Sequence, residues 1–110
     1  MTDIAWRGPV DHDWSAQLSH CLGWVTARRD DALVGFVTVA WDGGGHAWIV
    51  DTMVAGSERG QGVGRAVVDE AVANARAAGC EWLHVDFDED LRDFYLACGF
   101  EPAEAGLIRL

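Results

Sequence analysis

Eighteen acidic side chains against eight basic ones give this 110-residue chain a formal charge of −10, and every base is an arginine. The missing lysine excludes a phosphate-loop NTPase built on its usual lysine, a Schiff-base enzyme and a polybasic membrane tether. The acidic balance excludes a general nucleic-acid binder, whose affinity needs a basic face for phosphate neutralisation; small or cationic partners suit it better.

Half of the residues are hydrophobic, enough for one core, so residues 1–110 are expected to form a single domain. No stretch approaches the roughly 20 apolar residues that span a bilayer, and Asp3, Arg7 and Pro9 stand where a secretory signal needs an apolar run. A soluble, cytoplasmic protein is expected. Cys21, Cys80 and Cys98 are odd in number and lack CxxC spacing, which suits a reducing compartment and core packing, with no metal site.

In chain order, residues 11–22 read as a short helix, with Trp14, Leu18, Cys21 and Leu22 on one side. Residues 24–28 and 32–41 read as strands joined by a turn at Asp30 and Asp31, and a second turn at 42–45 leads into a strand at 46–54. A helix follows over 62–78, striped by Val63, Val67, Ala71, Ala75 and Ala78 and closed by Gly79. Residues 81–87 alternate as a strand. Asp90 is placed to cap a second helix carrying Leu91, Phe94, Tyr95 and Cys98, which Gly99 stops, and residues 107–110 can supply a last strand. The order predicts an α/β fold with a mixed sheet flanked by helices.

The segment that points to chemistry lies between the third strand and the first long helix: Val54-Ala55-Gly56-Ser57-Glu58-Arg59-Gly60-Gln61-Gly62-Val63-Gly64-Arg65. Alternating glycines let the backbone approach an anion and turn its N–H groups inward, and a helix N-terminus adds partial positive charge there. Arg59 and Arg65 flank the loop, where a diphosphate would draw on them. A plain glycine-rich connection with solvated arginines has the same composition. A dinucleotide-binding loop would instead space its glycines GxGxxG, with an acid about 20 residues on.

Arg59-Gly60-Gln61-Gly62-Val63-Gly64 resembles the coenzyme A signature of the GNAT N-acetyltransferases, Arg/Gln-x-x-Gly-x-Gly/Ala. The later run Phe94-Tyr95-Leu96-Ala97-Cys98-Gly99-Phe100 is similar to that family's Phe-Tyr-x-x-x-Gly-Phe segment, and the likeness extends from Trp24 to Phe100. The resemblance implies a mostly antiparallel mixed sheet and transfer of an acetyl group from acetyl-CoA directly to a primary amine. It implies that the backbone of Met53, Val54 and Ala55 lines the pantetheine arm, that the amides of Gly60, Gln61, Gly62, Val63, Gly64 and Arg65 hold the diphosphate with Arg59 beside them, and that Tyr95 sits near the sulfur. The chain is short for such a protein, as if an element were missing at each end, and a homodimer is expected to cover the exposed sheet edge.

Acetyl transfer needs a proton acceptor, because an alkyl amine with a pKa near 10 is an ammonium ion at neutral pH. Asp51, set among Ile49, Val50 and Met53, is the first candidate; Asp86, with His84 two residues earlier, is the second. Where several GNAT relatives carry an asparagine that contacts the coenzyme, this chain has Asp88, which is expected to face solvent. Residues 86–90 mimic the start of a calcium loop, but Leu91 and Ala97 stand where that loop needs glycine and glutamate, leaving an acidic rim suited to a cationic acceptor. Trp24, Trp41, Trp48 and Trp82 are expected in the core or at a dimer surface, with an aromatic box for an alkylammonium group as the alternative use. Two other functions fit the same loop: a coenzyme A binding module without turnover, and a mononucleotide-binding protein.

Overall fold

The computed structural model describes residues 2–7, 20–58 and 60–110. Five strands form one sheet in sequential order: β1 (Thr2–Arg7), β2 (Cys21–Arg29), β3 (Ala32–Trp41), β4 (His46–Val54) and β5 (Trp82–Val85). The first four are antiparallel neighbours, whereas β5 runs parallel to β4. A parallel pair needs a crossover, and helix α1 (Val63–Ala77) supplies it. The mixed, mostly antiparallel sheet therefore agrees with the sequence-based expectation.

The core lies between α1 and one sheet face. Val63, Val67, Val68, Ala71 and Ala75 of α1 are buried, and they meet Val25, Ala27, Val37, Val39, Ala47 and Ile49 from the central strands. Small side chains on the helix let it approach the sheet closely, and Gly35 shows how closely. A Cβ there would lie 2.7 Å from Val63 Cγ1 and 3.2 Å from Ala27 Cβ. Gly35→Ala is therefore expected to destabilise the fold by about 1–3 kcal/mol through overpacking. Chemical denaturation checks this, and a change below about 0.5 kcal/mol, the range of neutral surface substitutions, would show that the helix can withdraw.

Both helices end as the glycines predict. Gly79 has φ +90°, and Cys80 N–H returns to the Ala75 carbonyl at 3.1 Å; Gly99 has φ +105°, and Phe100 N–H returns to the Tyr95 carbonyl at 3.2 Å. These six-to-one closures cap the last turns, which only a left-handed residue permits cheaply.

Several expectations change. Residues 2–7 form an outer strand that the sequence reading did not assign; its Ile4 and Trp6 pack against the core on alternate positions. Cys21 and Leu22 open β2 rather than close a helix, and the remainder of that expected helix, residues 11–19, lies outside the described residues. The strand expected over 81–87 is shorter, at Trp82–Val85. Asp90 does not cap: it sits inside a 3-10 turn, Glu89–Leu91, preceding the short helix α2 (Arg92–Ala97), with no side-chain cap bond. Residues 101–110 form no strand and are exposed, because nothing in the described residues hydrogen-bonds their backbone into the sheet edge.

Candidate active site

The central feature is a place where the sheet stops pairing. β4 and β5 run in register from His46↔Trp82 to Ile49↔Val85 and no further, although β4 continues to Val54. At that point β4 is bulged: Phe36 pairs with Met53 but Thr38 pairs with Val50, so β4 spends an extra residue. Asp51 absorbs the distortion at φ +56°, a left-handed conformation that aspartate tolerates better than most residues. The Val50 carbonyl accepts a hydrogen bond from the Thr38 hydroxyl at 2.7 Å, so the bulge is braced by a buried side chain.

Beyond the bulge, β4 still pairs with β3. Ala55 N–H donates to the Val34 carbonyl at 2.8 Å, which commits that amide to β3. Ladder alternation then turns the N–H and C=O of Val54 the other way, toward the side that β5 has left. The result is a slot between the second half of β4 and the segment leading from β5 into α2.

The slot leads to the start of α1. Gly62 is the N-cap at φ +82° and ψ 3°, and it has no side chain with which to cap the first turn. The opening amides of an α-helix have no intrahelical acceptor, so those of Val63, Gly64 and Arg65 remain available to an anion. Gly60, also left-handed at φ +78°, and Gly62 both face open space, with no atom within 4 Å of a built Cβ. Gly64 differs from them, since a Cβ there would lie 3.3 Å from the Phe94 ring and 3.4 Å from Val54 Cγ2. It lets α1, β4 and α2 meet at the slot's inner wall. An open cradle beside a close-packed wall fits a diphosphate with an extended arm.

The model of the acetyltransferase (GNAT) family matches residues 3–100. The chain belongs to the GNAT family. Two rice proteins, described as probable glucosamine 6-phosphate N-acetyltransferase 2 and glucosamine 6-phosphate N-acetyltransferase 1, are each 38% identical to it over 58 and 56 residues. Those matches take in 53% and 51% of this chain but 35% and 33% of the rice proteins, so the chain spans about a third of the length of these curated relatives. A GNAT family acetyltransferase of Streptococcus pneumoniae superposes with a TM-score of 0.81 at 24% identity, over 100% of this chain and 98% of that one. Glucosamine-6-phosphate N-acetyltransferase of Arabidopsis thaliana reaches 0.74 at 18% identity, over 80% and 65% of the two chains. Both structures share the GNAT fold with this chain.

Within this GNAT fold the residues singled out from the sequence separate into three groups. Val54 precedes the loop at the end of β4, and Gly60, Gln61, Gly62, Val63 and Gly64 run through the turn into the first turn of α1. Arg59 lies outside the described residues. Arg65 is diverted: its Nε donates to Asp69 at 3.0 Å in an exposed i, i+4 pair, and that hydrogen bond raises its pKa. Its guanidinium lies along the exposed surface of α1 beside Asp69. Met53, 57% exposed, lies on the outer side of β4.

Asp51 and Tyr95 belong to different parts of the sheet's surroundings. Asp51 is exposed and sits electrostatically close to Cys21; burial, and then this carboxylate, push the Cys21 thiol up. Cys21 packs with Trp24 beneath Phe36, on the sheet face away from α1. Tyr95 belongs to the opposite side. It is 4% exposed, stacked on Phe87 at 5.2 Å and met edge-on by Phe94 at 5.0 Å and Phe100 at 5.8 Å.

The left-handed angle gives Asp51 a conformational role besides any chemical one, and substitutions can separate the two. Asp51→Gly should keep or slightly raise stability, whereas Asp51→Ala should cost about 1 kcal/mol of strain. Thermal melts of the two variants check this; equal melting would mean that the angle carries no strain.

Sequence reasoning did not anticipate the partner of His84. His46 Nδ1 and His84 Nε2 lie 2.8 Å apart, and Trp48 stacks on His84 with ring centres 5.0 Å apart. The residues are 38 positions apart, and only the parallel register of β4 and β5 joins them. Of the tryptophans, Trp24 is buried, whereas Trp41, Trp48 and Trp82 are exposed. Asp86 and Asp88 are exposed, as the acidic rim requires. No group of three potential metal ligands occurs among the described residues, and none of their helices is long and apolar enough to cross a membrane.

Proposed function

We propose that this GNAT chain is an N-acetyltransferase that takes acetyl-CoA as co-substrate and passes the acetyl group directly to the primary amine of a small molecule. The observation that carries this reading is the coincidence of three features: pairing between β4 and β5 ends at Ile49↔Val85, the bulge at Asp51 follows at once, and the same strand runs on to the open glycine cradle. The first-turn amides of α1 would bind the diphosphate, and the outward Val54 peptide group would pair with an amide of the pantetheine arm. Acetyl-CoA supplies an activated thioester.

The remaining work falls to the chain. Negative charge gathers on the carbonyl oxygen as the amine attacks, and one preplaced amide at that oxygen is typically worth about 3 kcal/mol of barrier. Backbone N–H groups beside the bulge are the available donors. The departing thiolate takes a proton, for which the Tyr95 phenol is the proposed source. Asp51 would attract and desolvate the ammonium ion of the acceptor from the opposite sheet face. The formal charge of −10 favours a cationic acceptor over a phosphorylated one, although the rice and Arabidopsis proteins are named for a phosphorylated amino sugar.

The burial of Tyr95 in the main core, while Asp51 is exposed beside the Cys21–Trp24 cluster, favours a second reading, a coenzyme A binding module that does not turn over. Calorimetric titration with acetyl-CoA, followed by a scan of primary amines for release of free thiol, tests both. Binding with amine-dependent release supports the enzyme; binding without release from any amine supports the module; binding of ATP in place of acetyl-CoA would overturn both.

A further inference from the structure

The sheet face turned away from α1 carries a cluster that the acetyl-transfer reading leaves unused. His46 and Trp48 of β4 and His84 of β5 stack face to face: His46 to His84 at 5.1 Å and 21°, Trp48 to His84 at 5.0 Å and 17°, and His46 to Trp48 at 6.1 Å and 28°. The imidazoles are linked by one hydrogen bond of 2.8 Å, and all three side chains are exposed. Trp48 and His84 are register partners, one pair before Ile49↔Val85, where the strands part. A strand advances about 3.3 Å per residue, so Trp48 and His84 lie one residue step from the slot's closed end and His46, three residues before Ile49, lies about 10 Å back along the strand.

We infer that the hydrogen-bonded His46–His84 pair is the proton acceptor that converts the acceptor's ammonium group to the attacking amine. This rests on the acetyltransferase reading above. Each neutral imidazole has one N–H and one lone pair. With one N–H spent on the shared bond, the pair presents one free lone pair and one free N–H, whichever ring donates. The free lone pair takes a proton from R–NH3+, leaving R–NH2 and a singly charged pair in which the bond persists. The amine nitrogen then bonds to the acetyl carbon, the C–S bond breaks, the thiolate takes the Tyr95 phenol's proton, the second nitrogen proton restores that phenol, and the pair returns its proton to solvent.

Trp48 holds His84 flat and turns an apolar face to the acceptor. Two carboxylates belong to this face: Asp42, which accepts the His46 backbone N–H at 3.2 Å and is coupled to the His46 ring, and Asp86, two residues beyond His84; Glu81 lies with Ala75 and Arg76 on the α1 side of β5.

The test measures acetyl-CoA affinity, and kcat/KM against pH for the best amine from a scan of primary amines, in wild type, His84→Gln and His46→Gln. Both side chains are on the surface, so circular dichroism and acetyl-CoA affinity are expected to be unchanged. For wild type, kcat/KM should rise with pH to a plateau below the amine's own pKa. The variant that removes the outward lone pair should lose about 100- to 10,000-fold and keep only a rise toward the amine's own pKa, while the other should move the midpoint. Three superimposable profiles would overturn the pair's role and leave acetyl transfer standing. Wild type that binds acetyl-CoA but acetylates no amine, or that does not bind it, would overturn both readings.

Discussion

Gly62→Asn is expected to leave the protein folded and to weaken acetyl-CoA binding by at least about 100-fold. Gly62 adopts φ +82°, and a Cβ placed there meets no atom within 4 Å. The fold therefore suffers only backbone strain, and asparagine is among the side chains that tolerate the left-handed region best. The space that a Cβ would enter is the space a diphosphate needs against the first turn of α1. Two lost hydrogen bonds to a charged group, at about 1.5–3 kcal/mol each, correspond to a fall of 100-fold or more. A valine at this position would confound the result, since a β-branched side chain is strained there whatever the ligand. Calorimetry at matched fold stability provides the measurement; retained affinity would place the cofactor elsewhere.

Tyr95→Phe should slow turnover by about 100-fold or more with acetyl-CoA affinity nearly unchanged, if the phenol delivers its proton as the thiolate leaves. The structure makes this a clean substitution. The ring is held by Phe87, Phe94 and Phe100, and phenylalanine retains every one of those contacts. Tyr95→Ala would instead remove a buried ring and cost about 3–5 kcal/mol, mixing stability with chemistry. Melting temperature and single-turnover rate together resolve the question. Unchanged turnover in the phenylalanine variant would reduce Tyr95 to a packing residue.

How much of this was legible beforehand depended on whether a signal was local. β3, β4 and α1 announce themselves through alternation, turn residues and the Val63–Val67–Ala71–Ala75 stripe, and Gly79 and Gly99 mark helix ends by a conformation few other residues accept. The loop 60–64 was readable for the same reason, although Gly64 proved to be a packing glycine, a distinction that depends on Phe94 thirty residues away. β1 was missed even though Ile4 and Trp6 alternate, because six residues with Asp3 and Arg7 give a weak apolar period. Residues 107–110 show the converse: an apolar run carries strand propensity, but a strand also needs a partner.

The pairing of His46 with His84 and the left-handed angle at Asp51 are products of register. Neither a parallel alignment across a helical crossover nor the site of an extra bulge residue leaves a mark in the nearby sequence. The groups proposed to handle protons were for that reason the least readable part of the site, and Arg65 illustrates the same limit. Its charge suggested a phosphate contact, while Asp69, one turn on, claims the guanidinium.

The early end of the β4–β5 ladder has a consequence for how stability and occupancy are linked. A half-paired strand is an incomplete sheet, and a guest with its own peptide-like groups can act as the absent neighbour, adding rungs where the protein supplies none. Occupancy would then stiffen the molecule along the seam beside β4, and the melting temperature would climb with the logarithm of guest concentration once the site is saturated.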